Sequence, residues 1–294
     1  MTLSSEQPKI TVVGSSSIDL ILSTENYPLP HETVMAYKSE TFFGGKGANQ
    51  AVGTSRLGAS VYFVGCVGMD PQGQQIMRNL VGEGINVGYV AETEESQTGA
   101  AYVRTAEGSY SIVIVPAANH YLSPAHIVNA EKIIANSDLI LTQLEIPMNV
   151  VETTVQLAKK YHKKIGIYAA PAAKLSQEVI DYATFIVVKR DEVSTVFGDE
   201  PSDEILKKYP NKLFVRDNTN ATTYFNGSEM KYFRNDSDYI FKMGMGDAFT
   251  SGFSIAYCHG NPIEECVKFG NDVSLKVAQS LGSQIGLPKI EDMK

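Results

Sequence analysis

The stretch Thr41-Phe42-Phe43-Gly44-Gly45-Lys46-Gly47-Ala48-Asn49-Gln50-Ala51 sets three glycines around one lysine and then runs into residues with helical apolar spacing. Its reading separates the common nucleotide-binding folds from the rest. Neither G-x-x-x-x-G-K-[ST] nor G-x-G-x-x-G is present, so it is neither a Walker phosphate loop nor a dinucleotide fingerprint. It offers close backbone approach at Gly44, Gly45 and Gly47, a cation at Lys46 and an amide at Asn49, all near a helix start. Such a set suits hydroxyls or a carboxylate. Taken alone, a glycine-rich strand-to-helix turn with an exposed lysine is an equal reading.

Around this stretch, short β-rich runs recur at 10–13, 61–64, 139–141, 165–167, 185–188 and 213–215, with helical spacing at 48–57, 72–82, 124–135, 148–161, 247–257 and 263–281. That alternation predicts an α/β fold, a mainly parallel sheet flanked by helices. A second pattern interrupts it. Residues 100–104 and 110–115 read as two strands around the turn Thr105-Ala106-Glu107-Gly108, a hairpin and not a crossover. With the extended segment 17–42 they predict a small separate sheet, a lid or an edge hairpin. No repeat or low-complexity linker divides the chain, so one domain over 1–294 with lid segments at about 17–42 and 98–116 is expected.

The chain has 294 residues, 43% of them apolar and 20% charged, which is the composition of a globular protein with a sizeable core. A formal charge of −8 without a long Lys/Arg run argues against nucleic acid as a partner. No apolar run reaches the roughly 20 residues of a membrane helix, and the opening residues are too polar for a signal peptide. A cytoplasmic protein with no membrane or nucleic-acid partner is expected. Cys66, Cys258 and Cys266 fit neither a disulfide framework nor a zinc site. The five histidines lack metal-ligand spacing.

Near the other end, Gly244-Met245-Gly246-Asp247 precedes an Ala- and Phe-rich helix, so two glycines free backbone N–H groups at a helix mouth, a ready anion site. An aspartate there competes with a bound anion unless it takes a proton from an attacking hydroxyl. Locally, an N-cap aspartate is the more ordinary reading. Asp19 and Glu145 follow the strands at 10–13 and 139–141, and strand carboxyl ends are where ligands of open α/β sheets gather.

With GGKGANQA at 44–51 and GMGD at 244–247 both in hand, the chain resembles the ribokinase/PfkB family of carbohydrate kinases, and within it the ribokinase branch. The match runs nearly end to end, through GSSSID, VGMDPQG, AANHYLSP, QLEIP and APAAKL. The resemblance implies a three-layer α/β/α sandwich with a small β-sheet lid, and transfer of the γ-phosphoryl group of ATP to the 5-hydroxyl of ribose. It implies Asp247 as general base and the backbone of Gly244, Met245 and Gly246 as anion hole. Ser17, Asp19, Gly44, Gly45, Lys46, Asn49, Glu145 and Asp247 would hold the sugar. Lys189, Arg216, Asn218, Gly246 and Asn271 would lie toward ATP, with Glu192 in an indirect magnesium network. A homodimer through the lid sheets is implied as well.

The departures gather on the nucleotide side. Lys189 stands for the asparagine of N-x-x-E, and 216–221 lacks both glycines of T-x-G-x-x-G. Phe241 and Lys242 replace the aspartate and threonine tied to a monovalent-cation site, so potassium is not carried over. Met245 replaces a small residue, and Tyr168 stands where an asparagine is expected. Three readings follow: a ribose kinase, a sugar-binding protein with a degraded ATP site, and a kinase for another sugar or a nucleoside.

Overall fold

The computed structural model describes residue 2 and residues 6–106, 108–234 and 243–293. Glu107, Phe241 and Lys242 lie outside the described residues, so the expectations placed on the latter two have no structural counterpart here. The chain begins β1 (Lys9–Val13), β2 (Ser17–Ser23), β3 (Lys38–Gly44), α1 (Lys46–Arg56), β4 (Ser60–Gly68), α2 (Pro71–Gly82) and β5 (Asn86–Thr93). It continues β6 (Ala100–Ala106), β7 (Ser109–Val115), α3 (Pro124–Asn129), α4 (Glu131–Ala135), β8 (Leu139–Gln143), α5 (Met148–Lys160), β9 (Lys164–Tyr168) and α6 (Gln177–Tyr182). The remainder is β10 (Phe185–Lys189), α7 (Val193–Phe197), α8 (Ser202–Lys208), β11 (Leu213–Arg216), β12 (Thr222–Phe225), β13 (Met230–Phe233), α9 (Met245–Cys258) and α10 (Ile263–Val277).

Nine strands form one sheet in the order β13-β12-β11-β10-β9-β8-β1-β4-β5. All its pairings are parallel except those of β12 and β13 at one edge. The central strands read as near-continuous apolar runs because both their faces are covered: every residue of β8 is buried. Two apolar cores lie on the two faces. One joins the sheet to α1, α2, α9 and α10, the other to α3 through α8. This is the parallel sheet flanked by helices that the alternation predicts, in the three-layer α/β/α form that the resemblance implies. Helix α9 is apolar almost all round because it is enclosed, packing against both α1 and α10.

The second sheet has four strands in the order β3-β2-β6-β7, and β6 and β7 form the expected hairpin. Some elements differ from expectation. The helical pattern at 124–135 is two short helices with a break at Ala130, whose ψ of 4° leaves the helical region. The helix expected to reach 281 ends at Val277. Strands β5, β12 and β13 were not anticipated: β5 is half-exposed and interrupted by Gly88, which blurs its alternation. The β12–β13 turn does carry a readable signal in Asn226-Gly227, where Asn226 Oδ1 accepts from the N–H groups of Ser228 and Glu229 at 2.8 Å each. No helix among the described residues is long and apolar enough to cross a membrane.

Candidate active site

The parallel strands end side by side, and their carboxyl ends deliver the polar residues. Ser15 and Asp19 follow β1, Gln143 and Glu145 lie at the end of β8, Tyr168 closes β9, Lys189 closes β10 and Arg216 closes β11. The small sheet lies over this row. Its strands alternate, and Asp19, Ala101, Val103, Tyr110, Ile112 and Ile114 face a cavity of about 450 Å3 between the two sheets.

Helix α1 enters this space through Gly45, whose φ of 87° suits a residue without a Cβ. Lys46 then lies over Glu145: its ammonium donates to Oε1 at 2.7 Å and its backbone N–H to Oε2 at 3.0 Å. Ser15 Oγ donates to the same Oε2 at 2.5 Å. Burial alone would raise the Glu145 carboxyl and depress the Lys46 ammonium. Their mutual attraction outweighs it, holding Glu145 below and Lys46 above its ordinary value. Asp19 accepts from Ser17 Oγ at 2.8 Å. Burial lifts its carboxyl to about 6, with Ser17 and Lys46 opposing and Glu145 adding to the rise. Gly44 lies behind Asp19, where a Cβ would overlap the carboxylate, so it shapes the site without lining the cavity.

The head of α9 faces the head of α1. Gly244, at φ 76°, is the N-cap, and Asp247 sits inside the first turn, so the cap reading of Asp247 is not what the structure shows. The first N–H groups of an α-helix have no acceptor within it, and the residues that carry them here, Met245, Gly246 and Asp247, line the cavity. Met245 finds room for its side chain by burying it, while its carbonyl accepts from Ser274 Oγ at 2.7 Å.

Asp247 is 4% exposed and held on both oxygens. Asn49 Nδ2 donates to Oδ2 and Gln50 Nε2 to Oδ1, each at 3.0 Å. The clamp is itself clamped: Gln143 Nε2 donates to Gln50 Oε1 at 2.6 Å and Gln284 Nε2 to Asn49 Oδ1 at 3.1 Å. Burial raises the Asp247 carboxyl to about 6, with Lys46 and the two amides pulling it down and Glu145 adding to the rise. A carboxylate of that strength, with an open cavity before it, can accept a proton near neutral pH.

On the far side, Arg216 is buried with its guanidinium over the Phe249 ring, 4.2 Å from the centroid. It donates to Asn271 Oδ1 and Ser274 Oγ at 3.0 Å each. Asn271 is fully buried and is not among the residues lining the cavity; its Oδ1 accepts from Arg216 and from the Thr222 hydroxyl. The loop at 217–221 closes on itself, with Asp217 Oδ1 accepting from the Thr219 N–H, the Thr219 hydroxyl and the Ala221 N–H at 2.8, 2.7 and 3.1 Å. Asn218 and Lys189 line the cavity. Glu192 stands behind Lys189, one oxygen 3.4 Å from its ammonium and the other buried without a hydrogen-bond partner among the described residues.

The structure therefore brings together Ser17, Asp19, Gly45, Lys46, Asn49, Glu145, Lys189, Arg216, Asn218, Gly244, Met245, Gly246 and Asp247 around one cavity, and leaves Gly44, Glu192 and Asn271 behind it. Sequence reasoning missed Gln50, which holds the aspartate, Gln143 and Gln284, which hold Gln50 and Asn49, and Asn119, whose amide accepts from the Ser16 N–H and donates to the Ser16 carbonyl at 2.9 Å each. Gln50 and Gln143 stood inside quoted motifs, but no local pattern pairs residues from α1 and β8.

Comparison with known proteins bears on the fold and the family. The chain is 36% identical over 280 residues to a ribokinase of Bacillus subtilis, covering 95% of this chain and 96% of the relative. It is 31% identical over 290 residues to a ribokinase of Haemophilus influenzae, covering 95% of each. The structure of Arabidopsis thaliana ribokinase complexed with ribose and ATP superposes with a TM-score of 0.85 at 26% identity, over 97% of both chains. The pfkB family carbohydrate kinase model matches residues 7–290, and the chain belongs to that family.

Proposed function

We propose that this carbohydrate kinase transfers the γ-phosphoryl group of ATP to the 5-hydroxyl of D-ribose, with Asp247 as general base. The observation that carries the reading is the double clamp on Asp247: the helix that supplies the sugar-side Lys46 and Asn49 also fixes both oxygens of the aspartate at the head of α9. Asp247 takes the hydroxyl proton as the sugar oxygen bonds to phosphorus, and the bond to the departing ADP breaks. The N–H groups of Met245, Gly246 and Asp247 stabilise the negative charge on the transferred group. Asp19, the Lys46–Glu145 pair and Asn49 offer acceptors and donors of both kinds for sugar hydroxyls. The small sheet serves as the lid that excludes water from a single kinase domain.

The nucleotide side fits its ligand through two cations and an amide: Lys189, Arg216 and Asn218 line the cavity beyond the α9 head. The Glu192 Oε2, buried and unpartnered among the described residues, fits an indirect role toward a nucleotide-borne magnesium ion, which when bound would neutralise phosphate charge. The outer face of the lid pairs Tyr102 with Val113, 48% and 65% exposed, and a second copy of the chain is proposed to cover it. The enzyme is read as cytoplasmic.

A second reading, a sugar-binding protein with an impaired ATP site, is favoured by the self-closed loop at 217–221. Calorimetry with ribose and with ATP separately, beside a coupled turnover assay, divides the two. Ribose binding without ATP-dependent turnover would remove the kinase reading.

A further inference from the structure

Tyr168 closes β9, between the strand that leads to Glu145 and the strands that lead to Lys189 and Arg216. On the reading above, that is the boundary between the sugar and nucleotide halves of the site, where the transferred group must pass. The tyrosine is 5% exposed and lines the cavity. Its hydroxyl lies against the head of α9 so closely that a Cβ on Gly246 would overlap it. Among the described residues no group is hydrogen-bonded to that hydroxyl, and it is not one of the fully buried polar atoms left without a partner, so it opens on the cavity and is free to donate there. The ring could rest in the same place without the oxygen.

The charged groups around the hydroxyl are Asp247, Lys46, Glu192 and Arg216. Burial is the main influence and Asp247 adds to it, so the phenol is held well above its ordinary value and stays protonated. It is thus a permanent donor beside the N–H groups of the α9 head. Gly246 is the residue that admits it, since any side chain there would displace the ring.

We propose that the Tyr168 hydroxyl is a further catalytic donor, completing the anion hole by hydrogen bonding to an oxygen of the phosphoryl group in transfer. The inference rests on the kinase reading above. It predicts a role for the hydroxyl in the charged transition state and none in holding the sugar.

The test is Tyr168→Phe in the full chain, which removes one oxygen and threatens no packing. With ribose, ATP and magnesium, kcat should fall about 100-fold, as for loss of one oxyanion donor, with KM for ribose within about twofold of the parent. Calorimetric affinity for ADP with aluminium fluoride should drop at least about tenfold while ribose affinity stays unchanged; a purely structural role would not move the first without the second. Parent values of kcat and of fluoroaluminate affinity in the variant would overturn the proposal. If the parent enzyme itself shows no turnover, the kinase reading fails separately. Binding of inorganic phosphate then decides on Tyr168: weaker binding in the variant supports the donor, and equal binding overturns it.

Discussion

Asn49 and Asp247, 198 residues apart in the chain, meet at 3.0 Å across the heads of two helices. The amide leaves the carboxylate an acceptor facing the cavity and fixes where it points. Replacing Asp247 with Asn keeps the shape and removes the base. The expected outcome is a kcat lower by roughly 10²- to 10⁴-fold, with ribose affinity by calorimetry within a few fold of the parent.

Gln50 and Gln143 are linked at 2.6 Å behind that contact, in a region without water access. Gln50→Leu leaves Asp247 Oδ1 and the Gln143 amide without their partner. Urea unfolding should register a loss of about 1–3 kcal/mol, and kcat should fall at unchanged fold, as judged by circular dichroism.

Lys46 and Glu145 form a pair that is mostly buried yet fronts the cavity, at 22% and 12% side-chain exposure. Lys46→Met strands the carboxylate. A cost of about 3 kcal/mol is expected, the lower end for breaking a buried pair, and the Glu145 carboxyl should move up from its depressed position. Glu145→Gln in the same background should recover part of the lost stability in denaturant titrations.

The pH dependence follows from Asp247, whose carboxyl is raised from 3.8 to about 6 in the folded chain. Between those values the folded protein holds a proton that the unfolded chain has released. This group therefore favours the folded state fully below about pH 4, and that contribution is lost as the pH rises through about 6. Relative to Asp247→Asn, the parent should lose about 3 kcal/mol of stability between pH 4 and pH 8, a shift of about two pKa units converted at 1.36 kcal/mol each. Catalysis runs the other way, since the base must be ionised: log kcat/KM should decline below about pH 6.

Tyr102 and Val113 stand opposite each other on the outer face of the small sheet. If that face joins two copies, Val113→Lys should convert a dimer to a monomer in size exclusion with light scattering, at unchanged melting temperature. A parent that is already monomeric would remove the dimer from the account.

The sheet was legible because its central strands are buried on both faces, so continuous apolar runs such as that in β8 mark them without ambiguity. Half-exposed β5 and the β12–β13 edge hairpin carried weaker patterns and escaped. Site residues on glycine motifs or at strand ends were legible for the same reason that the chain needs them there: Gly45 takes a positive φ and Glu145 follows the buried strand β8. The support of those residues was not. Gln50, Gln143 and Gln284 act through contacts between α1, β8 and the segment after α10. Asn271, which the resemblance places toward ATP, is fully buried and braces Arg216, a contact between α10 and β11 that no local pattern announces.

The most direct test of the central claim is product analysis by phosphorus–proton correlation NMR after incubation with ribose, ATP and magnesium, parent against Asp247→Asn. The account predicts a phosphoryl group on the 5-oxygen of ribose, formed at least about 10²-fold faster by the parent. Absence of a phosphorylated pentose from the parent, or equal rates in the two proteins, would contradict it.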